Sequence, residues 1–194
     1  DNYFNFQIMN ASSSRTTDKS LSDMEFLSHL NISLATNHNY HNNIEEALSL
    51  IGKRFQYDRI HIIKIFPDNN FIILHEWCAN CIPAMKKQVK KTPCFFEPNL
   101  QQQLNDKAYI LIDDPEQLSN PELKQFYKKY STVKALFLPL LLRNFFAFLS
   151  FSHCRDTKCW NEKEIHFMTL LSSIIAANLE KNLLIARLMH KIKS

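Results

Sequence analysis

Glycine is almost missing from this chain: Gly52 is the only one in 194 residues, where average usage of about 7% would give on the order of fourteen. The scarcity excludes whole chemistries. A dinucleotide-binding turn needs three glycines and a phosphate-cradling loop needs two, because only a residue without Cβ lets the backbone approach the phosphates. The strand-to-helix elbow that exposes a nucleophilic serine, and the glycine-rich loop of protein kinases, fall by the same count. ATP chemistry is therefore not expected within these residues.

Long apolar runs are missing too. No stretch approaches the 18 continuous apolar residues of a membrane helix, and the N-terminus lacks the basic, apolar, small-residue order of a secretory signal. The expectation is a cytoplasmic chain without membrane contact. Five cysteines, an odd number, argue for reduced thiols rather than a disulfide framework, and the Asn10-Ala11-Ser12 and Asn31-Ile32-Ser33 sequons then carry no meaning. Charge is balanced at a net +4. The cluster Lys86, Lys87, Lys90 and Lys91 has no interleaved aromatic platform, so it reads as a solvated face and no nucleic-acid partner is expected. The chain starts at Asp1 and stops at Ser194 within a helical pattern, as a piece of a longer protein would.

What is present is periodicity. Residues 1–19 end in a polar run without period and are expected to be a flexible lead-in. Ser22 with Glu25 makes a capping box, and Leu21, Met24, Leu27, Leu30 and Leu34 recur at helical spacing. Ile44, Ala47, Leu48, Ile51 and Phe55 line a second helix with Gly52 near its close. From Arg59 the period changes: Ile60–Phe66 and Phe71–Trp77 form a hairpin turned by Pro67-Asp68-Asn69-Asn70, with Asp and Asn tolerating positive φ in place of glycine. After an irregular stretch from Cys78 to Asn105 come a short strand, Ala108–Ile112, and a helix capped by Asp114, entered at Pro115 and running to about Lys129. Val133–Leu142 and Phe145–His153 read as two apolar strands joined at Arg143-Asn144. Asn161 with Glu164 opens a helix whose apolar stripe, from Ile165 and Met168 through Leu179, Leu183, Ala186 and Met189, runs almost to the end.

This order of elements resembles the GAF domain, over about residues 22–183. The distinctive residues are Val133-Lys134-Ala135-Leu136-Phe137-Leu138-Pro139-Leu140, similar to the family's penultimate strand with its proline, then Phe145–Phe151, His153-Cys154, and Trp160-Asn161-Glu162-Lys163-Glu164-Ile165 at the opening of the last helix. Ala147 stands where the family usually has a glycine. The resemblance implies an α+β fold with an antiparallel GAF/PAS-like sheet of five to six strands and N- and C-terminal helices packed on one face. It implies a sensory domain over residues 20–183, followed from 184 to 194 by the start of a connecting signalling helix. It also places Leu149, Phe151 and His153 on the sheet face that looks into the family's ligand pocket.

The closing His-Cys and downstream Trp are most similar to the phytochrome-related branch, whose members hold a linear tetrapyrrole (bilin) through a cysteine. The segment from Asp113 to Tyr130, where that attachment is sought, has no cysteine, so no bilin and no other cofactor is expected. The implied function is a non-catalytic regulatory domain of a two-component sensor histidine kinase. It would answer a small-molecule ligand or an upstream domain and pass the signal to the kinase region of the same chain. The projecting stripe Leu179, Leu183, Ala186 and Met189 predicts a homodimer through the terminal helices. The alternative is a metal- or redox-sensing domain: Cys78-Ala79-Asn80-Cys81 has the two-residue gap of half a zinc site, which Cys154 and Cys159, with His153, would have to complete. Ordinary reduced cysteines with no metal are preferred.

Overall fold

The computed structural model describes residues 22–35, 40–97, 99–155 and 158–193; the expected lead-in at 1–19 lies outside the described residues. Helix α1 covers residues 22–35 and α2 covers Tyr40–Phe55. Strands β1 (Arg59–Ile65) and β2 (Asn70–Cys78) form the expected hairpin, with Asn69 at φ 56° in its turn. Strand β3 is the two-residue Thr92–Pro93, followed by α3 (Leu100–Lys107) and β4 (Ile110–Ile112). A 3-10 turn at Pro115–Gln117 precedes α4 (Pro121–Lys129), then β5 (Lys134–Leu140), β6 (Phe146–His153) and α5 (Glu162–Lys193).

The six strands form one antiparallel sheet in the order β3-β2-β1-β6-β5-β4. Its two central strands, β1 and β6, are not neighbours in sequence and pair from Arg59↔Ser152 to Ile65↔Phe146. Pro139 in β5 is tolerated because β4 pairs only with Ala135, Leu136 and Phe137, leaving Pro139 on an open edge where no N–H is needed.

Both faces of the sheet are covered. On one, α1, α2 and α5 bring Leu30, Leu34, Ile44, Leu48, Ile51, Met168, Leu171 and Ile175 onto Ile60, Ile62, Leu136, Leu138, Leu149 and Phe151. On the other, the 79–97 segment, α3 and α4 bring Met85, Val89, Phe96, Leu104, Leu123 and Tyr127 onto Ile63, Phe71, Ile73, Phe137 and Phe148.

Three expected elements are corrected. The helix from Pro115 to Lys129 is two pieces: Asp114 caps only the 3-10 turn, and Asn120 caps α4 by accepting from the Glu122 and Leu123 amides, because a residue before proline avoids helical φ/ψ. The irregular stretch contains the start of α3, whose polar sequence hides its two buried leucines, Leu100 and Leu104. Five residues, not two, join β5 to β6.

Gly52 sits inside α2 with an ordinary helical backbone. The Trp77 ring lies against it so closely that a Cβ there would stand 2.0 Å from a ring carbon. The chain's single glycine thus serves close contact rather than a turn.

Candidate functional site

Alternation along β1 sends Ile60 and Ile62 to the helical face and Arg59, His61 and Ile63 to the other. Ser150 and Ser152 from β6, Phe137 from β5, Phe71 and Ile73 from β2, and Phe126 and Tyr127 from α4 join these last three in lining a cavity of about 20 Å³ between sheet and cover. A bulge helps to build it. Ile62 pairs with His75 and Ile63 with Ile73, which leaves Leu74 as the extra residue. Beyond it, Glu76 faces His61 on the cavity side although it is an odd number of residues from Ile73.

The cavity face holds a buried polar chain. His61 Nε2 lies 2.9 Å from Glu76 Oε1, and the carboxylate, being acceptor-only, makes that nitrogen the donor. Glu76 also accepts from the amides of Met85 (2.6 Å) and Lys86 (3.0 Å), which fastens the covering segment to β2. Burial alone would raise the Glu76 carboxyl, but His61 and these two amides outweigh it and hold it low. Burial lowers the His61 pKa; Glu76 pulls the other way and the Arg59 charge adds to the lowering. Together they give a neutral imidazole against a carboxylate.

Below this pair, Asp58 closes the end of the sheet. Its Oδ2 accepts from the Cys154 and Arg155 amides at 2.7 and 3.1 Å, and its Oδ1 from Arg155 Nε and Nη2 at 2.8 and 2.5 Å. Burial opposes ionisation here also, yet these donors carry the Asp58 pKa below its ordinary value.

The expected pocket residues are on the other side. Leu149 and Phe151 lie in the core under α1, α2 and α5, and the buried His153 ring packs 5.4 Å from Tyr57 and 4.9 Å from Trp160. The three do share a face, as their parity requires, but it is the helical one. Tyr57 accepts from Trp160 Nε1 at 3.1 Å and donates to Glu164 Oε1 at 2.9 Å, so this cluster anchors the start of α5.

The cysteines do not converge. Among the described residues no three His, Cys, Asp or Glu side chains are placed to hold a metal, and all five cysteines are free thiols. Burial pushes the Cys78 thiol up to about 11 and also raises Cys154. Cys81 is exposed, and Cys159 lies 3.0 Å from Lys134 Nζ. Of the lysine cluster, Lys86 pairs with Glu45 at 3.3 Å and Lys91 with Asp68 at 2.5 Å.

Along α5 the apolar stripe divides. Leu179 is part of the core and Leu183 is half-buried, while Ala186 and Met189 are exposed beside Leu184, Ile185, Leu188 and Ile192. The helix leaves the body gradually. Glu180 accepts from the Arg143 amide at 2.6 Å, and Arg187 Nη1 donates to Asn144 Oδ1 at 3.2 Å. Sequence reasoning passed over Arg59, His61, Glu76 and Tyr127. A signal for the first two was present, since a cation and an imidazole at alternate positions of an otherwise apolar strand face inward together.

A six-stranded antiparallel sheet in this strand order, with terminal helices on one face and short elements over a cavity on the other, is the GAF fold. Family models and characterised proteins give no match to the chain. Solved structures do. The phycocyanobilin-bound GAF domain of a cyanobacterial phytochrome superposes with a TM-score of 0.70 at 13% identity, covering 84% of this chain and 96% of that one. The phycoerythrobilin-bound GAF domain of a cyanobacterial phytochrome gives 0.69 at 14% identity, covering 85% and 98%. The PixJ GAF domain of Thermosynechococcus elongatus, in its blue-light absorbing form, gives 0.61 at 15% identity, covering 87% and 95%.

Proposed function

We propose that this chain is a non-catalytic regulatory GAF domain of a cytoplasmic two-component sensor histidine kinase, whose terminal helices pass a change at the cavity face to an output region. The observation that carries this reading is the placement of β1 and β6. Each of these central strands presents one set of side chains to the cavity and the alternate set to the helical layer. The helical layer ends in α5, 32 residues and about 48 Å long at 1.5 Å per residue, whose last turns leave the body of the domain. Ser172 on α5 donates to Pro139 O of β5 at 2.6 Å, a direct tie between sheet and output helix. A shift in cavity packing would bias that helix as a population shift between two packings. Among the described residues no helix is long and apolar enough to cross a membrane.

Two further parts belong to this reading. The exposed apolar side chains from Leu184 to Ile192, with the half-buried Leu183, pair with a second copy of α5 to make a homodimer, Leu179 being reserved for the core. Leu188→Glu should then shift the protein to monomer in sedimentation equilibrium at tens of micromolar. An ideal monomer before substitution contradicts the pairing. The second part concerns the bilin that similar structures hold. A cavity of about 20 Å³ lined by no cysteine does not fit a group that needs several hundred Å³, since Phe71, Phe96, Phe126 and Phe137 occupy the space. The protein co-expressed with a bilin pathway should be colourless, and zinc-dependent fluorescence of a denatured adduct would show otherwise.

The whole reading is tested in the parent chain that includes whatever follows Ser194. With radiolabelled ATP it should take phosphate on histidine, at a rate changed about threefold or more by Phe126→Ala at the cavity wall, a shift of at least about 0.6 kcal/mol. No histidine phosphorylation overturns the kinase assignment. A rate indifferent to Phe126→Ala overturns the sensory one.

A further inference from the structure

Arg59 is completely buried, with 0% of its surface exposed. A buried guanidinium normally sits against a carboxylate, because an ion taken from water without a counter-charge is among the most costly arrangements in a protein. Arg59 has none. Its Nη1 and Nη2 reach Tyr130 O at 3.3 and 3.4 Å, Nη2 reaches Pro83 O at 3.1 Å, and Nη1 reaches Thr132 Oγ1 at 3.5 Å; all these acceptors are neutral. Of the nearby carboxylates, Asp58 is paired with Arg155, and Glu76 directs its oxygens to His61 Nε2 and the Met85 and Lys86 amides rather than to the guanidinium. The neighbouring Cys78 thiol, pushed up to about 11, is uncharged at neutral pH.

Among the described residues, Arg59 Nε and Tyr127 Oη have no hydrogen-bond partner. Both residues line the cavity of about 20 Å³, along with Thr132, Ser150 and Ser152, and among the described residues no carboxylate lines it. That volume accommodates one guest of water or halide size. The Nε–H can only donate and the hydroxyls can rotate to donate, so the walls match an acceptor. A water molecule would answer the hydrogen bonds but bring no charge to the guanidinium. An anion answers both.

We propose that this cavity binds one small monovalent anion of halide size, held by the Arg59 guanidinium and the Tyr127 hydroxyl. The inference does not depend on the sensory reading. The bound anion would join β1 to α4 and to the Tyr130–Thr132 segment behind it, and so stiffen the cover of the cavity face.

The test is urea unfolding of the 194-residue chain at constant ionic strength, with sodium bromide replacing sodium gluconate stepwise. A ligand that binds only the folded state raises the midpoint along a saturating curve. Tyr127→Phe, which removes one oxygen and keeps the ring, should raise the bromide concentration for half-maximal effect by about fivefold or more. Arg59→Met, where it folds, should abolish the effect. Crystals grown in bromide should show an anomalous peak between Arg59 and Tyr127. Superimposable bromide and gluconate curves, a response unchanged in Tyr127→Phe, or a cavity holding only water in those crystals overturns the proposal.

Discussion

On the helical face, regular helices lay aliphatic side chains such as Leu30, Ile44, Leu48, Met168 and Leu171 over Ile60, Ile62, Leu138 and Leu149. On the cavity face the cover is largely irregular chain and the filling is aromatic. Phe96 stands edge-on to Phe71, Phe137 and Phe148, with centroids 5.4, 5.9 and 5.3 Å away and interplanar angles of 75°, 80° and 86°. The same two strands support both. The contrast teaches that one sheet can carry an aliphatic core against its terminal helices and, behind it, a packing of rings around buried polar groups.

The largest effect expected from this contrast is on stability. Phe151→Ala, at a fully buried ring beneath α5, should cost about 3–5 kcal/mol in urea unfolding. Phe126→Ala, at a half-buried ring on the cavity wall, should cost about 1–2 kcal/mol because less apolar area leaves contact. Equal losses would erase the distinction between the faces.

A smaller effect is expected where α2 meets β2. Gly52→Ala forces the Trp77 ring away and should cost about 1–3 kcal/mol by overpacking. Trp77→Leu removes the clash, so the second substitution should cost less in the Gly52→Ala background than alone. Additive losses would place the effect of Gly52 elsewhere.

Smaller again is the pH dependence, which comes from the cavity face and from the end of the sheet beside it. The folded His61 resists protonation, so acidification from about pH 6.5 lets the unfolded chain bind a proton that the folded one does not. Stability falls from there until the depressed folded pKa is passed. Asp58 and Glu76 are also lowered in the folded state. Their contribution is present above about pH 4.5, the ordinary carboxylate range, and is lost as pH drops through their folded values. His61→Gln should flatten the first stage and leave the second. A first stage unchanged by that substitution would assign it to another histidine.

Much of this arrangement is legible in the residues themselves. Ile44, Ala47, Leu48 and Ile51 announce α2 by spacing, and Asn161 caps α5 by accepting from the Glu164 amide at 2.9 Å. The β1–β2 turn follows from Asp68-Asn69-Asn70. The site was harder. Alternation told that Leu149, Phe151 and His153 share a face but not which one, because β6 is apolar on both sides and a period of two carries no label for inside. The bulge at Leu74 shifts Glu76 onto the cavity face by one residue, a change set by pairing with β1 rather than by local preference. Tyr127 was invisible as a site residue because its ring fits the apolar stripe of α4, and only the unpartnered hydroxyl distinguishes it.

The central claim is that the cavity face communicates with α5 through β1 and β6, and amide hydrogen exchange tests it most directly. Exchange would be followed by mass spectrometry on the 194-residue chain and on Phe126→Ala, under conditions where both are fully folded. The account predicts that peptides spanning residues 172–193 change protection in the variant, although Phe126 lies on the opposite side of the sheet. Changes confined to α4 and the 79–97 segment, with α5 exchanging as in the parent protein, would contradict it.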